Sequence, residues 1–540
     1  MNRQQIKKWS LLRHLNFKGY KRTASGNPLN MVKVMSPSQL TIYGNAVQDG
    51  TPSPDAPVEV QLCGDRTGNL LDYDVFDNAP EYVSNLSSIG CFAISVPNGA
   101  YTMSTNIEIK NNLNAGAFLI ANSLPDTITS PLYGVSLNHP RTVTVSNGTL
   151  YVCVYWRNAG TGASYPHVFT KEDFTSGTYW LMLVQGSYTA DTLPAYEPYG
   201  YKVSGRAEGL NLFDKENASI VKGAVMKTTL EFIGESDGAY SYMRCDPNTT
   251  YTINKLPQSG IVCTANQIPA TGAVANSRIS AAEEGMELSL ITVTTGNDDT
   301  YLWIALIPSA GGEYTAEEML DSLQVLKGTY TASTIPPYEP YQPPQDFAVY
   351  LPEQIAKVGD VADEITLDFE HKTATRTDKI KQLKDFVVAS VVAVPPDTQL
   401  CITCRAMRLL NSDLFIPATP MLSNYFINGV FNNTSIEGIV THSNPETDYQ
   451  WYIYLNKTRI DMTADDTPAT LATKCNAYIQ TLTGREAYYQ LLTPVTTDIT
   501  SLQQWDAMPN IEGTVSITFD SAIPISNAET EYYSKEYDAT

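Results

Sequence analysis

Two phrases of fourteen residues recur in this chain. "GSYTADTLPAYEPY" occupies residues 186–199 and "GTYTASTIPPYEPY" residues 328–341, with ten positions identical. Each follows a second marker, "GNLLD" at 68–72 and "LNLFD" at 210–214. Asn69 to Glu197 spans 128 residues, as does Asn211 to Glu339, so both markers give a period of 142. Matched ends held in register over that length indicate a duplicated domain, and a repeat of this size can enclose its own core. The expected units are residues 66–204 and 205–343.

Inside each unit the pattern is that of strands. "YVCVYWR" (151–157), "YWLMLV" (179–184), "YTINKL" (251–256) and "YLWIALI" (301–307) are short, aromatic and β-branched, with turn clusters between them. The chain's 33 Gly, 32 Pro and 33 Tyr favour short strands joined by turns over helices. "FTKEDF" (169–174) and "YTAEEML" (314–320) have the Thr-x-x-acid form of a capped helical turn. Strand spacing and unit length predict a mainly β chain of tandem two-sheet sandwiches of jelly-roll type. The repeated phrase then closes each sandwich. Pro194 and Pro198, like Pro336, Pro337 and Pro340, fix φ and remove amide donors, so the chain leaves the sheet extended and stiff.

Residues 1–24 form a distinct leader. The first 22 carry seven Lys/Arg and no acid, while the other 518 hold 28 basic and 57 acidic residues, a net of −29. Ile6, Trp9, Leu12 and Leu15 recur at three-residue steps with Lys7, Lys8 and Arg13 among them. That pattern predicts a short basic amphipathic helix, able to lie on a membrane or to anchor the chain in an acidic partner. The overall charge of −22 offers phosphates no basic field and argues against nucleic acid as a partner. Residues 25–65 read as a small β linker element. Residues 344–540 read as a β-rich C-terminal domain, with a hairpin at 365–377, a central strand "DYQWYIYLN" at 448–456, a helix at 466–482 capped by Asp466 or Thr467, and a late strand at 514–521.

Little in the chain suggests catalysis. The eight cysteines show no framework spacing, and several lie in apolar runs, which predicts reduced core thiols made in a reducing cytoplasm. His14, His139, His167, His371 and His442 have no ligand-like spacing, "CITC" at 401–404 lacks a second pair, and no phosphate loop or GxSxG elbow occurs. No metal or cofactor is expected. The acid pairs Glu283/Glu284, Asp298/Asp299 and Glu317/Glu318 sit in polar stretches that predict solvated groups. The aromatic strands offer more. In 448–456, Tyr452, Tyr454 and Asn456 share a face opposite Ile453 and Leu455, and exposed rings beside amides grip sugar rings. Trp156 with Arg157, and Trp303, are further glycan-binding candidates. The alternative for all of them is packing against a neighbouring domain or chain.

Beyond the leader the chain resembles tail-associated structural proteins of phages and prophages of Gram-positive bacteria. The resemblance lies in "SGNP" (25–28), "LTIYGNAVQDGTPSPDAPVEV" (40–60), the paired "NLLD"/"NLFD" and "YEPY", "LPEQIAKVGDVADEITLDFEHKTATRT" (351–377) and "YYQLLTPVTTDIT" (488–500). It implies a non-enzymatic virion protein of the tail tip, baseplate or fibre, made in the host bacterial cytoplasm. Its sandwiches would look like carbohydrate-binding modules meeting a host-surface glycan. Its partners would be other tail proteins and its own copies, a trimer being favoured. Two alternatives stay open at this level: a glycan depolymerase, which needs two acids facing across a groove, and a purely architectural connector without a ligand.

Overall fold

Leu40 and Ile42 are fully buried in the strand Met31–Tyr43 because the sheet it enters has a core on one side. In this computed structural model the described residues are 31–538, apart from 78–80, 83–88, 107–117, 124–134, 136–138, 156–170, 176–178, 257–259, 281–289, 308–312, 394–400, 409–420, 429–436, 445–447 and 510–514. The leader, with Ile6, Lys7, Lys8, Trp9, Leu12, Arg13 and Leu15, lies outside them, as do Trp156 and Arg157. Among them the chain is mainly β.

The sheet holding Met31–Tyr43 has six antiparallel strands in the order Leu422–Ser423, Glu486–Asp498, Thr373–Lys384, Glu364–Asp368, Met31–Tyr43 and Asn527–Asp538. A second sheet sets Tyr201–Gly209 between Gln345–Leu351 and Val515–Asp520, with Asp65–Arg66 also paired to it. Leu40, Ile42, Ile365 and Leu367 from the first sheet share one core with Val203, Val349 and Leu351 from the second. These two sheets form a hub, and its strands come from both ends and the middle of the sequence. Residues 25–65 and 344–540, expected as separate pieces, are thus woven together, Met31 pairing with Asp538 and Tyr43 with Asn527.

Between Arg66 and Tyr201 the chain makes the first sandwich. Ile89–Ser95, Thr149–Tyr155 and Phe118–Ala121 line up in one sheet, and Leu181–Gln185, Gly99–Thr105 and Arg141–Val145 in the other. Between Gly209 and Gln345 the second sandwich repeats this order. Ala239–Arg244, Tyr301–Ile307 and Ile261–Ala265 correspond to the first sheet, and Gln324–Lys327, Thr250–Asn254 and Leu290–Thr294 to the second. Each sandwich has its own core, with Phe92, Met103, Leu150 and Leu183 in one and Ile253, Ile291, Ile304 and Val325 in the other. A third excursion, between Lys384 and Glu486, is a five-stranded sheet backed by the helix Pro468–Thr481. Thr467 caps that helix by accepting a hydrogen bond from Thr470 N, Pro468 opens it, and Leu471, Cys475 and Ile479 pack on Ile453 and Leu455.

The two sequence markers are the two halves of a stitch. The Asn69 side chain lies between the start of the sandwich and its last strand, accepting from Leu71 N at 3.1 Å and Leu183 N at 3.0 Å and donating to Leu181 O at 3.3 Å. Asn211 repeats this with Phe213 N, Val325 N and Leu323 O, and also donates to Glu339 O at 3.0 Å. The phrase itself starts on a glycine with left-handed φ, 121° at Gly186 and 107° at Gly328. The next bonds also match. Thr102 Oγ1 donates to Gly186 O and accepts from Tyr188 N, as Thr252 Oγ1 does with Gly328 O and Tyr330 N. A turn held by Thr192 Oγ1, or Thr334 Oγ1, then starts the return to the hub.

Two expectations are corrected. Cys91 and Cys153 are joined in a disulfide, because they stand directly opposite each other on adjacent strands, a pairing hidden by 62 residues of separation. Cys63, Cys263, Cys401 and Cys475 are buried and outside any disulfide. Trp303 is wholly buried, so it cannot grip a ligand. Its strand is apolar on both faces: Leu302, Ile304 and Leu306 face the sandwich core, while Trp303 lies under Phe232, Ala273 and Ala275 and donates to Gln267 O at 2.8 Å.

Candidate functional site

Ile453 and Leu455 are buried in the core, and Tyr452, Tyr454 and Asn456 on the opposite face are half-buried. That face is not an open ladder. Val440, opposite Tyr452, and Cys401, opposite Asn456, are buried on the same side. Asn456 caps the turn after its strand by accepting from Thr458 N at 3.0 Å. Among the acids, Glu318 closes the capping box on Thr315 and Asp299 accepts from Gly296 N and Asn276 Nδ2, so both hold local structure.

A larger feature lies where the first sandwich meets the hub. The stitch at Asn69 sends the chain through Asp72 and Tyr73, and the returning phrase brings Tyr196, Pro198 and Tyr199 alongside. The neck is short and heavily bonded: Thr67 N donates to Gly200 O, Gly68 N to the Glu197 carboxylate, and Lys202 pairs with Glu197. Between this neck and the hub opens a cleft of about 750 Å³. Its sandwich wall carries Tyr73, Tyr179 and Trp180, its rim Tyr196, Tyr199 and Arg66, and its hub wall Gln354, Gln382, Tyr488 and Gln504.

The rings are fixed before any ligand arrives. Trp180 and Tyr196 stack at 4.8 Å between centroids with planes 19° apart. The Tyr73 hydroxyl donates to Leu181 O at 2.9 Å and lies 3.4 Å from that of Tyr196. Arg66 spans two rings, its guanidinium 4.5 Å from the Tyr199 centroid and 5.0 Å from that of Tyr201. Burial raises the Tyr73, Tyr196, Tyr199 and Tyr488 hydroxyls above the usual tyrosine range, so they stay protonated and can donate.

Beneath the hub wall Asp363 is buried and pushed up to about 6 by desolvation, although its carboxylate accepts from Ala356 N, Lys379 N and Ile380 N. Arg376 beside it donates to Asp378 and to the carbonyls of Glu353 and Gln354, which fixes the loop carrying Gln354. The cleft can therefore offer flat aromatic faces, hydroxyl donors and amide acceptors on a rigid frame.

The sequence singled out Tyr196 and Tyr199 only as parts of a closing phrase, and it missed Arg66, Tyr73, Trp180 and the glutamines. One signal was present. At the period of 142, Asn69 and Leu181 map onto Asn211 and Leu323, which make equivalent bonds, whereas Tyr73 maps onto Lys215 and Trp180 onto Ser322. The two copies share the stitch and the tyrosines of the closing phrase, and differ at Tyr73 and Trp180. Searches of family models, curated proteins and solved structures give no match to this chain.

Proposed function

We propose that the chain is a non-enzymatic structural component of a phage tail, at the tail tip, baseplate or fibre, that contributes to attachment to a host-surface glycan. The resemblance scattered along nearly the whole chain beyond the leader supports this reading. In it the sandwiches are jelly rolls of carbohydrate-binding type, displayed at fixed spacing by the hub. The basic leader anchors the chain among other tail proteins, and copies assemble as an oligomer, most simply a trimer, made in the host bacterial cytoplasm. Weak sites on such an oligomer gain by avidity. The observation that carries the reading is the stitch: two sandwiches of one strand order leave and rejoin a single hub through the same bonds, which is a frame for display. Two measurements test it together. Gold-labelled antibody against the second sandwich should decorate the tail of purified particles, and the isolated protein should bind host cells and block adsorption. Particles without label, together with cells that ignore the protein, refute it.

A further inference from the structure

Three of the four described cations around the cleft are already engaged, and the fourth, Lys384, is exposed. Lys171 lies 2.5 Å from Asp74 and 3.2 Å from Asp77, Arg376 is paired with Asp378, and Arg66 rests on two tyrosine rings. A charged ligand would have to break one of these pairings or rely on the exposed Lys384 or Glu353. The amides are arranged differently. Gln354 donates to the carbonyls of Leu62 and Gly64, Gln382 to Glu486 and the Tyr488 hydroxyl, and Gln504 to Tyr196 O. Each is thus held by its nitrogen, and among the described residues its Oε1 accepts no hydrogen bond. Gln503 next door is the contrast, since it accepts from Tyr350 N and donates to Tyr350 O and Ile499 O, and it is buried. Three amide oxygens without a protein donor among the described residues, in a cleft also lined by half-buried rings, suit a ligand with flat apolar faces and many hydroxyl donors.

We propose that the cleft between the first sandwich and the hub binds a neutral saccharide, stacked on the Trp180–Tyr196 pair and giving hydroxyl hydrogens to Gln354, Gln382 and Gln504. This deepens the attachment reading and rests on it for its biological setting. The second copy keeps Tyr338 and Tyr341 but has Lys215 and Ser322 in place of Tyr73 and Trp180, which makes the site asymmetric. One copy binds and the other acts as a spacer.

The test titrates the full-length protein, followed by calorimetry, with neutral glucan and N-acetylglucosamine hexasaccharides and with sialylated and sulfated oligosaccharides of equal length. A neutral probe should bind at about 1 mM or below and the charged ones more weakly. Trp180→Ala should weaken neutral binding by about tenfold or more. Gln504→Met, which keeps the chain length and removes the acceptor, provides a second variant if the first loses its fold by circular dichroism. Tyr452→Ala/Tyr454→Ala should leave the affinity unchanged. Preference for the charged probes, no binding by any neutral probe, or neutral binding untouched by both cleft variants overturns the assignment. Cell binding that persists in Trp180→Ala and Gln504→Met sinks the cleft and spares the attachment reading. Saccharide binding by a protein that ignores cells does the reverse.

Discussion

Asn211→Ala tests the stitch that organises the molecule. Asn211 is 1% exposed and makes four hydrogen bonds, two accepted and two donated. Truncation leaves Phe213 N and Val325 N as buried donors without their acceptor, and the carbonyls of Leu323 and Glu339 each lose a donor. A buried donor left unsatisfied costs about 1–3 kcal/mol, so the two N–H groups together cost about 2–6 kcal/mol. Asn211→Asp does not rescue it: one oxygen can still accept from both amides, but the other then faces two carbonyls. The sandwich should lose a large part of the roughly 5–15 kcal/mol that holds a domain of this size together.

A chain with several cores need not unfold in one step, so the readout must be local. Hydrogen exchange resolved by peptide meets that need. In Asn211→Ala, exchange in Thr250–Asn254 and Tyr301–Ile307 should accelerate by about 30-fold or more, while Gly99–Thr105 and Thr149–Tyr155 keep their wild-type rates. Asn69→Ala should give the mirror result, and the double variant should show both effects without coupling, because the residues lie in separate cores. Unchanged exchange in the second sandwich would refute the hydrogen-bond argument. Equal acceleration in both sandwiches after a single substitution would refute their independence.

Reducing Cys91–Cys153, or replacing both residues with Ser, should destabilise the first sandwich by about 2–4 kcal/mol and leave the second unchanged, read by the same exchange experiment. Trp303→Ala should cost about 3–5 kcal/mol in the second sandwich by denaturant unfolding and leave saccharide and cell binding intact once the protein is folded. Burial lifts Asp363 from its ordinary 3.8 to about 6, so its share of stability is full below pH 4 and fades as the pH rises through 6, a loss of about 3 kcal/mol. Asp363→Asn should remove that slope in unfolding measured between pH 4 and 7, and identical slopes in the two proteins would refute it.

The repeat was legible because its job is local in kind, although its partners are far apart. Asn is the residue that can accept two amides and donate to a carbonyl from one short side chain, so a stitch made twice leaves the same letter twice. The capped helix at Pro468–Thr481 and the hairpin of Glu364–Asp368 with Thr373–Lys384 were legible for the same reason. Pairing across the chain writes no such mark. Nothing in the alternation of Met31–Tyr43 says that Asn527–Asp538 lies beside it, and an apolar strand such as Tyr301–Ile307 announces two buried faces without saying what covers the second. The cleft combines both cases. Its rings come from residues 73, 180, 196 and 199 and its acceptors from 354, 382 and 504, so no window of sequence contains the site. What the sequence does hold is a comparison between its own two copies. The stitch asparagines are the same in both copies, whereas two of the four cleft rings are not. Tyr73 and Trp180 diverge while their neighbours Asn69 and Leu181 keep their bonds, which is the pattern of a duplicated frame that carries a ligand site in one copy.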